Sequence, residues 1–143
     1  MHRFLTAIVG PLDADDCYQE TWIAALRAYP RLRHAANLRG WLLTIAHRKA
    51  IDLIRVRRRN PLTLEGAADR APDGTVIEPT GGLDGGVWEL VRRLPDKQRT
   101  ALALRYVLDA DYALISSAME TSEEAARRNV HEALSRLRRE YEE

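Results

Sequence analysis

The chain has 143 residues, of which 45% are hydrophobic and 30% are charged, a composition typical of a folded globular protein and not of a disordered chain. Its 22 Lys and Arg nearly balance 21 Asp and Glu, and its single cysteine, Cys17, excludes an internal disulfide and a multi-cysteine zinc site. The charges are segregated, with 11 basic and 5 acidic residues over 1–60, 1 and 5 over 61–86, and 10 and 11 over 87–143. The basic front part favours a polyanionic partner, although a solvated charged surface gives the same counts.

An apolar run at residues 4–9 opens the chain and is cut off by Gly10 and Pro11. The run is too short to span a membrane, and no cleavage pattern follows it. We therefore expect a cytoplasmic protein without membrane insertion.

The first long helix is predicted after this run. Asp13 can cap it, and Pro30 stops it near residue 29. Its apolar stripe is predicted to consist of Trp22, Ile23 and Leu26. Cys17 lies inside the same pattern, where a small packed side chain is favoured over a reactive thiol.

A second, longer helix is predicted after a basic loop at residues 31–36, with Asn37 as its cap. Apolar residues recur along it at helical spacing and predict its buried side: Trp41, Leu42, Ile45, Ala46, Ala50, Leu53 and Ile54. The helix ends in an arginine-rich stretch at residues 55–59.

Residues 61–86 are predicted to be a flexible linker and to mark the domain boundary. They hold six of the eight glycines and three of the six prolines, and they are net acidic. Such a composition buries too little apolar surface to order itself. A short helix around residues 62–68 is the alternative within this segment.

Four helices are predicted beyond the linker, at residues 87–94, 96–108, 111–119 and 123–141. The last begins with either a capping box from Thr121 to Glu124 or a cap at Ser122. The three-residue break before it indicates a helix-turn-helix. The predicted fold is therefore all-α, with two small helical domains joined by a flexible linker and the second ending in a helix-turn-helix.

The motifs in these elements resemble a known family. Residues 13–22 (DADDCYQETW), 37–42 (NLRGWL), 45–46 (IA) and 50–53 (AIDL) with arginines after them closely resemble region 2 of extracytoplasmic-function (ECF) sigma factors. The stretches 94–99 (LPDKQR) and 104–107 (LRYV), followed by Tyr112, resemble region 4. The resemblance covers about residues 5–58 and 87–140. It implies a region 2-like domain at 1–60, a linker at 61–86 and a region 4-like domain at 87–143.

The resemblance first implies a protein-binding face on the front helix. Asp16, Gln19 and Glu20 lie three and four residues apart, so their acceptor groups share one side. In the family this helix docks on the clamp helices of the largest polymerase subunit, and these three residues become the candidates for core-polymerase binding. A solvent-exposed acidic face is the alternative.

The second helix and the loop before it melt the −10 promoter element in the family and hold a flipped base. Cations for phosphate and flat or hydrogen-bonding groups for bases are the side chains this task needs. The −10 candidates carried over are Arg39, Trp41, Thr44, His47, Arg48, Arg55, Arg57 and Arg58. Trp41 falls on the apolar stripe, where a core position is the commoner role for a lone tryptophan. Cations at a helix C-terminus also favour the helix itself, so the arginines near residue 57 have a capping alternative.

The last helix is where the region 4-like domain contacts the −35 element in the family. The DNA-facing candidates there are Arg127, Arg128, Asn129 and His131.

Several positions depart from the family pattern. Arg48 stands where the family often has Asn, Leu114 replaces a common Glu, Glu120 occupies a turn position that is usually Gly, and Glu132 takes the place of an arginine. The family's first helix also begins upstream of Leu5, so only its tail is expected here.

The resemblance implies an ECF-type sigma factor that binds bacterial core RNA polymerase, directs it to a two-part promoter and helps open the duplex, with no chemistry and no cofactor of its own. The implied partners are core polymerase, promoter DNA and an anti-sigma factor, and the free protein is expected to be a monomer.

A degenerate sigma-like interaction protein without promoter-specific binding is the alternative, motivated by the altered last helix and the short front. A stand-alone helix-turn-helix repressor leaves the front domain unexplained. An enzyme is disfavoured, because the four histidines have no metal-binding spacing and no nucleophile elbow or phosphate-binding glycine loop occurs.

Overall fold

The computed structural model describes residues 1–32, 37–59 and 86–142, and within these ranges it contains seven α-helices and no strand. The predicted all-α class is therefore confirmed. The predicted linker, with its alternative short helix, and most of the predicted basic loop lie outside the described residues.

The front half holds three α-helices. They are α1 (His2–Val9), α2 (Pro11–Ala28) and α3 (Leu38–Arg59), and a single 3₁₀ turn, Tyr29–Arg31, follows α2. Gly10 separates α1 from α2 with a φ of +88°, a conformation that side-chain-bearing residues rarely adopt.

The predicted cap at Asp13 was wrong, because α2 begins at Pro11 and Asp13 lies in its first turn. Proline is well placed at the first position of a helix, since it lacks the N–H that would have no partner there and its φ is already helical.

The predicted apolar stripe of α2 was also wrong. The buried residues of α2 are all small: Ala14, Cys17, Thr21 and Ala25. Trp22, Ile23 and Leu26 are instead exposed, and Leu26 retains 71% of its accessible surface. The reason is close packing, because the small stripe lets α2 approach α1 and α3 and leaves the large side chains on the outside.

The predicted cap of α3 is confirmed. The Asn37 side chain accepts a hydrogen bond from the backbone N–H of Gly40 at 3.2 Å. A Cβ on Gly40 would lie 2.6 Å from the Asn37 side chain, so the cap depends on glycine at that position. The buried side of α3 consists of Gly40, Leu43, Ala46, Ala50 and Ile54. Leu43 was missed from the sequence, while the predicted Trp41, Leu42, Ile45 and Leu53 are only partly buried.

The back half holds four α-helices, as predicted. They are α4 (Gly86–Arg92), α5 (Asp96–Val107), α6 (Tyr112–Met119) and α7 (Glu123–Glu142). Asp111 caps α6 by accepting from the N–H of Leu114 at 2.8 Å, and Ser122 caps α7 by accepting from the N–H of Ala125 at 3.1 Å. Helices α6 and α7 pack on each other across the break at residues 120–122, which gives the helix-turn-helix.

The two halves share one hydrophobic core. Helix α1 packs on α2 and α3 and also on α4 and α5, while α3 packs on α6. Phe4, Leu5 and Ile8 of α1 are almost fully buried, each burial stabilising the fold by roughly 1.5–3 kcal/mol. The buried Arg99 of α5 donates to the carbonyl oxygens of Ile8 at 3.0 Å and Leu94 at 3.2 Å. This side chain ties the halves together, and the domain limits inferred from the sequence stay a prediction.

Candidate functional site

The outward side of α2 is exposed along most of the helix. It carries the three polymerase-binding candidates, Asp16, Gln19 and Glu20, all of which are exposed. Helical spacing places the exposed Leu12, Ile23 and Leu26 on the same side. We call these six residues the docking face. The sequence analysis did not identify its apolar members as functional residues. The small residues on the opposite side of α2 could have indicated that the large apolar ones face outward.

The two aromatic residues of α2, Tyr18 and Trp22, lie beside this face and contact each other. The Tyr18 ring packs edge-on against both Trp22, at 6.2 Å between ring centroids, and His2, at 5.5 Å. His2 Nε2 in turn lies 2.7 Å from an Asp15 carboxylate oxygen. The side of α2 next to the docking face is therefore fixed against α1.

One side of α3 carries most of the −10 candidates. This side carries residues at spacings of three, four and seven, which helical geometry brings together: Thr44, His47, Arg48, Arg55 and Arg58. We call it the α3 basic face. Arg39 and Arg57 project elsewhere. The Arg57 guanidinium is paired at 2.5 Å with the Asp13 carboxylate on α2, and both side chains are mostly buried. Arg39 donates to the Leu108 carbonyl oxygen at 2.9 Å.

The back half covers part of the α3 basic face, and the Arg48 and Arg58 side chains keep 62% and 58% of their surface exposed. Arg58 forms two hydrogen bonds to the Asp96 carboxylate, at 2.7 and 3.0 Å. Arg48 pairs with the Glu120 carboxylate. The Thr44 hydroxyl is 2.7 Å from the Gly40 carbonyl oxygen of its own helix and 3.2 Å from the Ser117 carbonyl oxygen. Arg55 forms no ion pair with any residue in the described ranges.

The two candidates with rings differ in their surroundings. Trp41 is partly exposed, and it is not among the described hydrophobic residues that pack on the core. The His47 ring is largely enclosed, and its Nδ1 has no hydrogen-bond partner among the described atoms. Burial lowers the pKa of His47 below its ordinary value and so favours the neutral ring; nearby Glu120 and Asp96 act in the opposite direction, and Arg48 adds to the lowering.

A cavity of about 580 Å³ lies between α3, the start of α5 and α7. His47, Arg55 and Arg58 line it from α3, and Lys97 and Asn129 line it from the back half. The fold therefore brings three −10 candidates and one −35 candidate to the same opening.

The −35 candidates lie along α7. Arg127, Arg128 and His131 are exposed, and Asn129 is partly buried. The guanidinium carbon of Arg127 lies 5.2 Å from the centre of the Tyr112 ring. Arg127 also lies 3.9 Å from the Glu123 carboxylate, one turn earlier on α7.

One further contact of the Tyr112 ring was not predicted. The Arg105 guanidinium lies 5.0 Å from the centre of the same Tyr112 ring, so the ring contacts two cations. Arg105 is itself held by a hydrogen bond of 3.0 Å to the Ala110 carbonyl oxygen. Glu132 accepts a hydrogen bond of 3.2 Å from the Gln98 side chain, so α5 engages the carboxylate that departs from the family pattern.

Cys17 has the surroundings expected for a packed side chain. Burial, with smaller contributions from Glu20 and Asp13, raises its pKa to about 11, so the thiol stays protonated at neutral pH. None of the described helices is long and apolar enough to cross a membrane, and no three described His, Cys, Asp or Glu side chains form a group that could hold a metal ion.

Comparison with known proteins decides the family. Residues 1–60 match sigma-70 region 2, and residues 85–137 match sigma-70 region 4. The ECF RNA polymerase sigma factor SigD of Mycobacterium tuberculosis is 32% identical over a match that covers 95% of this chain and 69% of SigD. The chain belongs to the ECF sigma factors. The resemblance inferred from the sequence motifs is thereby confirmed.

This ECF sigma factor matches other relatives over different shares of their length. The ECF sigma factor SigC of Mycobacterium tuberculosis is 33% identical, and the match covers 78% of this chain but 60% of SigC. CnrH, solved in complex with the cytosolic domain of CnrY, superposes with a TM-score of 0.70 at 20% identity, covering 99% of this chain and 79% of CnrH. The sigma factor RpoE from Bartonella quintana, solved with the anti-sigma factor NepR, has a TM-score of 0.71 at 21% identity, covering 96% of this chain and 87% of RpoE. These two structures share its fold.

Proposed function

We propose that this ECF sigma factor binds bacterial core RNA polymerase through the docking face and directs promoter recognition in transcription initiation. The observation that carries the proposal is the docking face itself. Leu12, Ile23 and Leu26 are exposed on the same side of α2 as Asp16, Gln19 and Glu20. Exposed large apolar side chains on both sides of a group of polar acceptors are typical of a protein-binding site.

The acidic members define the chemistry of the partner. A surface that accepts Asp16, Gln19 and Glu20 must supply basic or hydrogen-bond-donating groups, with apolar groups beside them for the leucine and isoleucine side chains. The clamp helices of the largest polymerase subunit, which the family resemblance implies, are the proposed partner surface.

The DNA-binding roles are divided between two helices. The α3 basic face contacts the −10 element, with Arg55 and Arg58 on phosphates, and α7 contacts the −35 element through Arg127, Arg128, Asn129 and His131. Phosphate contacts by arginine supply most of the salt-dependent affinity in such interfaces. Glu132, held by Gln98, takes no part in phosphate binding.

The remaining properties follow the family. The protein performs no chemistry itself, needs no cofactor, acts in the cytoplasm as a monomer when free, and is held by an anti-sigma factor when inactive. The complex of RpoE with the anti-sigma factor NepR supports this last class of partner.

The test is co-elution with bacterial core RNA polymerase in size-exclusion chromatography. Leu26→Asp is expected to weaken the complex by about tenfold or more, because it places a charge where the face is apolar. Tyr141→Asp is the matched control, since Tyr141 is equally exposed, at 73%, but lies at the end of α7. Gln19→Arg with Glu20→Arg is a second variant, which replaces polar acceptors of the docking face with positive charges.

Unchanged co-elution of both docking-face variants, with circular dichroism showing a folded protein, would reject the docking face. No complex with the folded wild-type protein would instead favour the alternative, a sigma-like interaction protein without promoter-specific binding. That alternative is supported by one observation, the engagement of Thr44, Arg48 and Arg58 by the back half. Promoter-specific transcription with added polymerase would eliminate it.

A further inference from the structure

Four arginine side chains from three helices line a single cavity of about 330 Å³. Arg57 and Arg58 come from α3, Arg92 comes from α4 and Arg99 comes from α5. The rest of the wall consists of apolar side chains of α1 and α3 and one carboxylate, that of Asp13. The lining therefore carries four positive charges and one negative charge. We call it the arginine cavity, and no residue of the docking face or of α7 contributes to it.

Three of these arginines hold an enclosed nitrogen that has no hydrogen-bond partner among the described atoms. The nitrogens are Nε of Arg57, Nη1 of Arg92 and Nε of Arg99. Arg99 is only 8% exposed, and its two terminal nitrogens are already engaged by backbone carbonyl oxygens. Buried N–H groups nearly always have an acceptor, so each exception calls for an explanation. Three exceptions around one cavity share an explanation if the acceptor is a bound molecule.

The charges of the cavity indicate that this molecule is an anion. Arg57 and Arg58 are paired with Asp13 and Asp96, whereas Arg92 and Arg99 form no ion pair within the described ranges. Burial lowers the pKa of Arg99; Asp96 opposes this effect, and the positive charges of Arg58 and Arg92 add to it. Water in the cavity can accept hydrogen bonds, but it cannot neutralise buried charges that repel each other.

Two unpaired guanidiniums favour an anion with two or more charges over a single carboxylate. The planar fork of an arginine matches the oxygens of a phosphate group, and its hydrogen bonds to phosphate are among the strong ones in proteins. A cavity of about 330 Å³ holds a small molecule but not a nucleic acid duplex. We propose that the arginine cavity binds a small phosphate-type anion, with Arg92 and Arg99 as its principal ligands.

The first experiment titrates the protein with inorganic pyrophosphate by isothermal calorimetry at constant ionic strength. Arg92→Gln removes one ligand, and Arg93→Gln makes the same change at the next residue, which is exposed and lies outside the cavity. We expect saturable binding of one pyrophosphate by wild-type protein and by Arg93→Gln. Arg92→Gln should bind about tenfold more weakly or less, because it loses charged hydrogen bonds in a partly buried site. Absence of saturable binding to the folded wild-type protein, or equal weakening by both variants, would overturn the proposal.

The second experiment separates ligand binding from a structural role of Arg92. Urea midpoints are measured in chloride and in pyrophosphate buffers of equal ionic strength. In chloride, Arg92→Gln should be at least as stable as wild type, because it removes an unpaired charge near Arg99. Pyrophosphate should raise the midpoints of wild type and Arg93→Gln more than that of Arg92→Gln, since a ligand stabilises the state that binds it. Equal rises in all three proteins would show that Arg92 does not bind the anion.

The third experiment distinguishes a small anion from DNA as the occupant. The affinities of Arg92→Gln and Arg93→Gln for a fluorescent DNA single strand are compared by anisotropy without pyrophosphate. We expect equal affinities, because a DNA strand stays on the outer surface of the protein. Weaker DNA binding by Arg92→Gln alone would assign the cavity to nucleic acid and overturn the proposal. All three experiments are done without polymerase, so their results are independent of the proposed function.

Discussion

The outward side of α2 and the basic side of α3 lie on adjacent helices and are treated in opposite ways by the rest of the chain. On α2, large apolar side chains such as Leu26 remain exposed. On α3, the cationic side chains Arg48 and Arg58 are met by Glu120 and Asp96 of the back half. The apolar side chains of α2 stay exposed, while two cationic side chains of α3 are paired with carboxylates from the same molecule.

The difference teaches that the second half of the chain has two roles. It carries its own candidate DNA-binding helix, α7, and it also covers the candidate DNA-binding helix of the first half. The exposed ion pair between Arg48 and Glu120 adds only a small amount to stability, since pairs in contact with water are worth about 0–1 kcal/mol. The main attachment between the halves therefore comes from the packing of α3 on α6 and of α1 on α4 and α5.

The largest expected effect comes from breaking that attachment at Arg99. Arg99→Ala leaves the carbonyl oxygens of Ile8 and Leu94 without their donor in a buried site and creates a cavity. We expect a loss of about 3 kcal/mol in the free energy of unfolding, measured by urea denaturation. Arg128→Ala, at an exposed position on α7, is the control and should change stability by less than about 0.5 kcal/mol. A similar, small effect for both variants would mean that the halves are held together elsewhere.

Much of the fold is predictable from the sequence because its signals are local. The Asn37 cap, the helix limits of the back half and the break at residues 120–122 all follow from side chains within a few positions of one another. The buried side of α2 is not predictable in this way. A hydrophobicity pattern predicts that the large Trp22 and Leu26 are buried. Close packing of the helices instead buries the small Ala14 and Cys17.

The candidate site is less predictable, because its decisive contacts join distant positions. Local spacing identifies the α3 basic face, but nothing in it indicates that Arg48 meets Glu120 or that Arg58 meets Asp96. Likewise, Tyr112 belongs to a motif that the sequence shows. Its contacts with Arg105 and Arg127, however, depend on how α5, α6 and α7 pack.

A smaller effect is expected from pH, through His47 on the covered side of α3. Its pKa is lowered in the folded chain, chiefly by burial, and it returns to the ordinary value of about 6.5 when the ring is exposed. The exposed state therefore binds more protons between these two pKa values. The stability that the neutral ring contributes is present above about pH 6.5 and is lost as the pH falls below it.

The measurement is the urea midpoint at pH 7.5 and at pH 5.5 for wild-type protein and His47→Gln. Other groups face this ring, namely Glu120 after α6, Asp96 and Lys97 on α5, and the arginines of α3, so the comparison between the two proteins isolates the histidine. Wild-type protein should lose more stability on acidification than the variant. An equal or smaller loss would show that His47 is not held neutral by the cover of the back half.

The smallest expected effect concerns α7, which lies outside the cover that the end of α6 provides for α3. The Tyr112 ring contacts the Arg127 guanidinium, a −35 candidate, and cation–π contacts at exposed sites contribute about 0.5–1 kcal/mol. Tyr112→Leu should weaken binding of the folded protein to double-stranded DNA by a few-fold, because it frees Arg127 from its preferred position. Tyr112→Phe keeps the ring and should bind like wild type. Equal weakening by both substitutions would assign the effect to the lost hydroxyl, and no weakening by either would mean that Arg127 reaches DNA without the support of the ring.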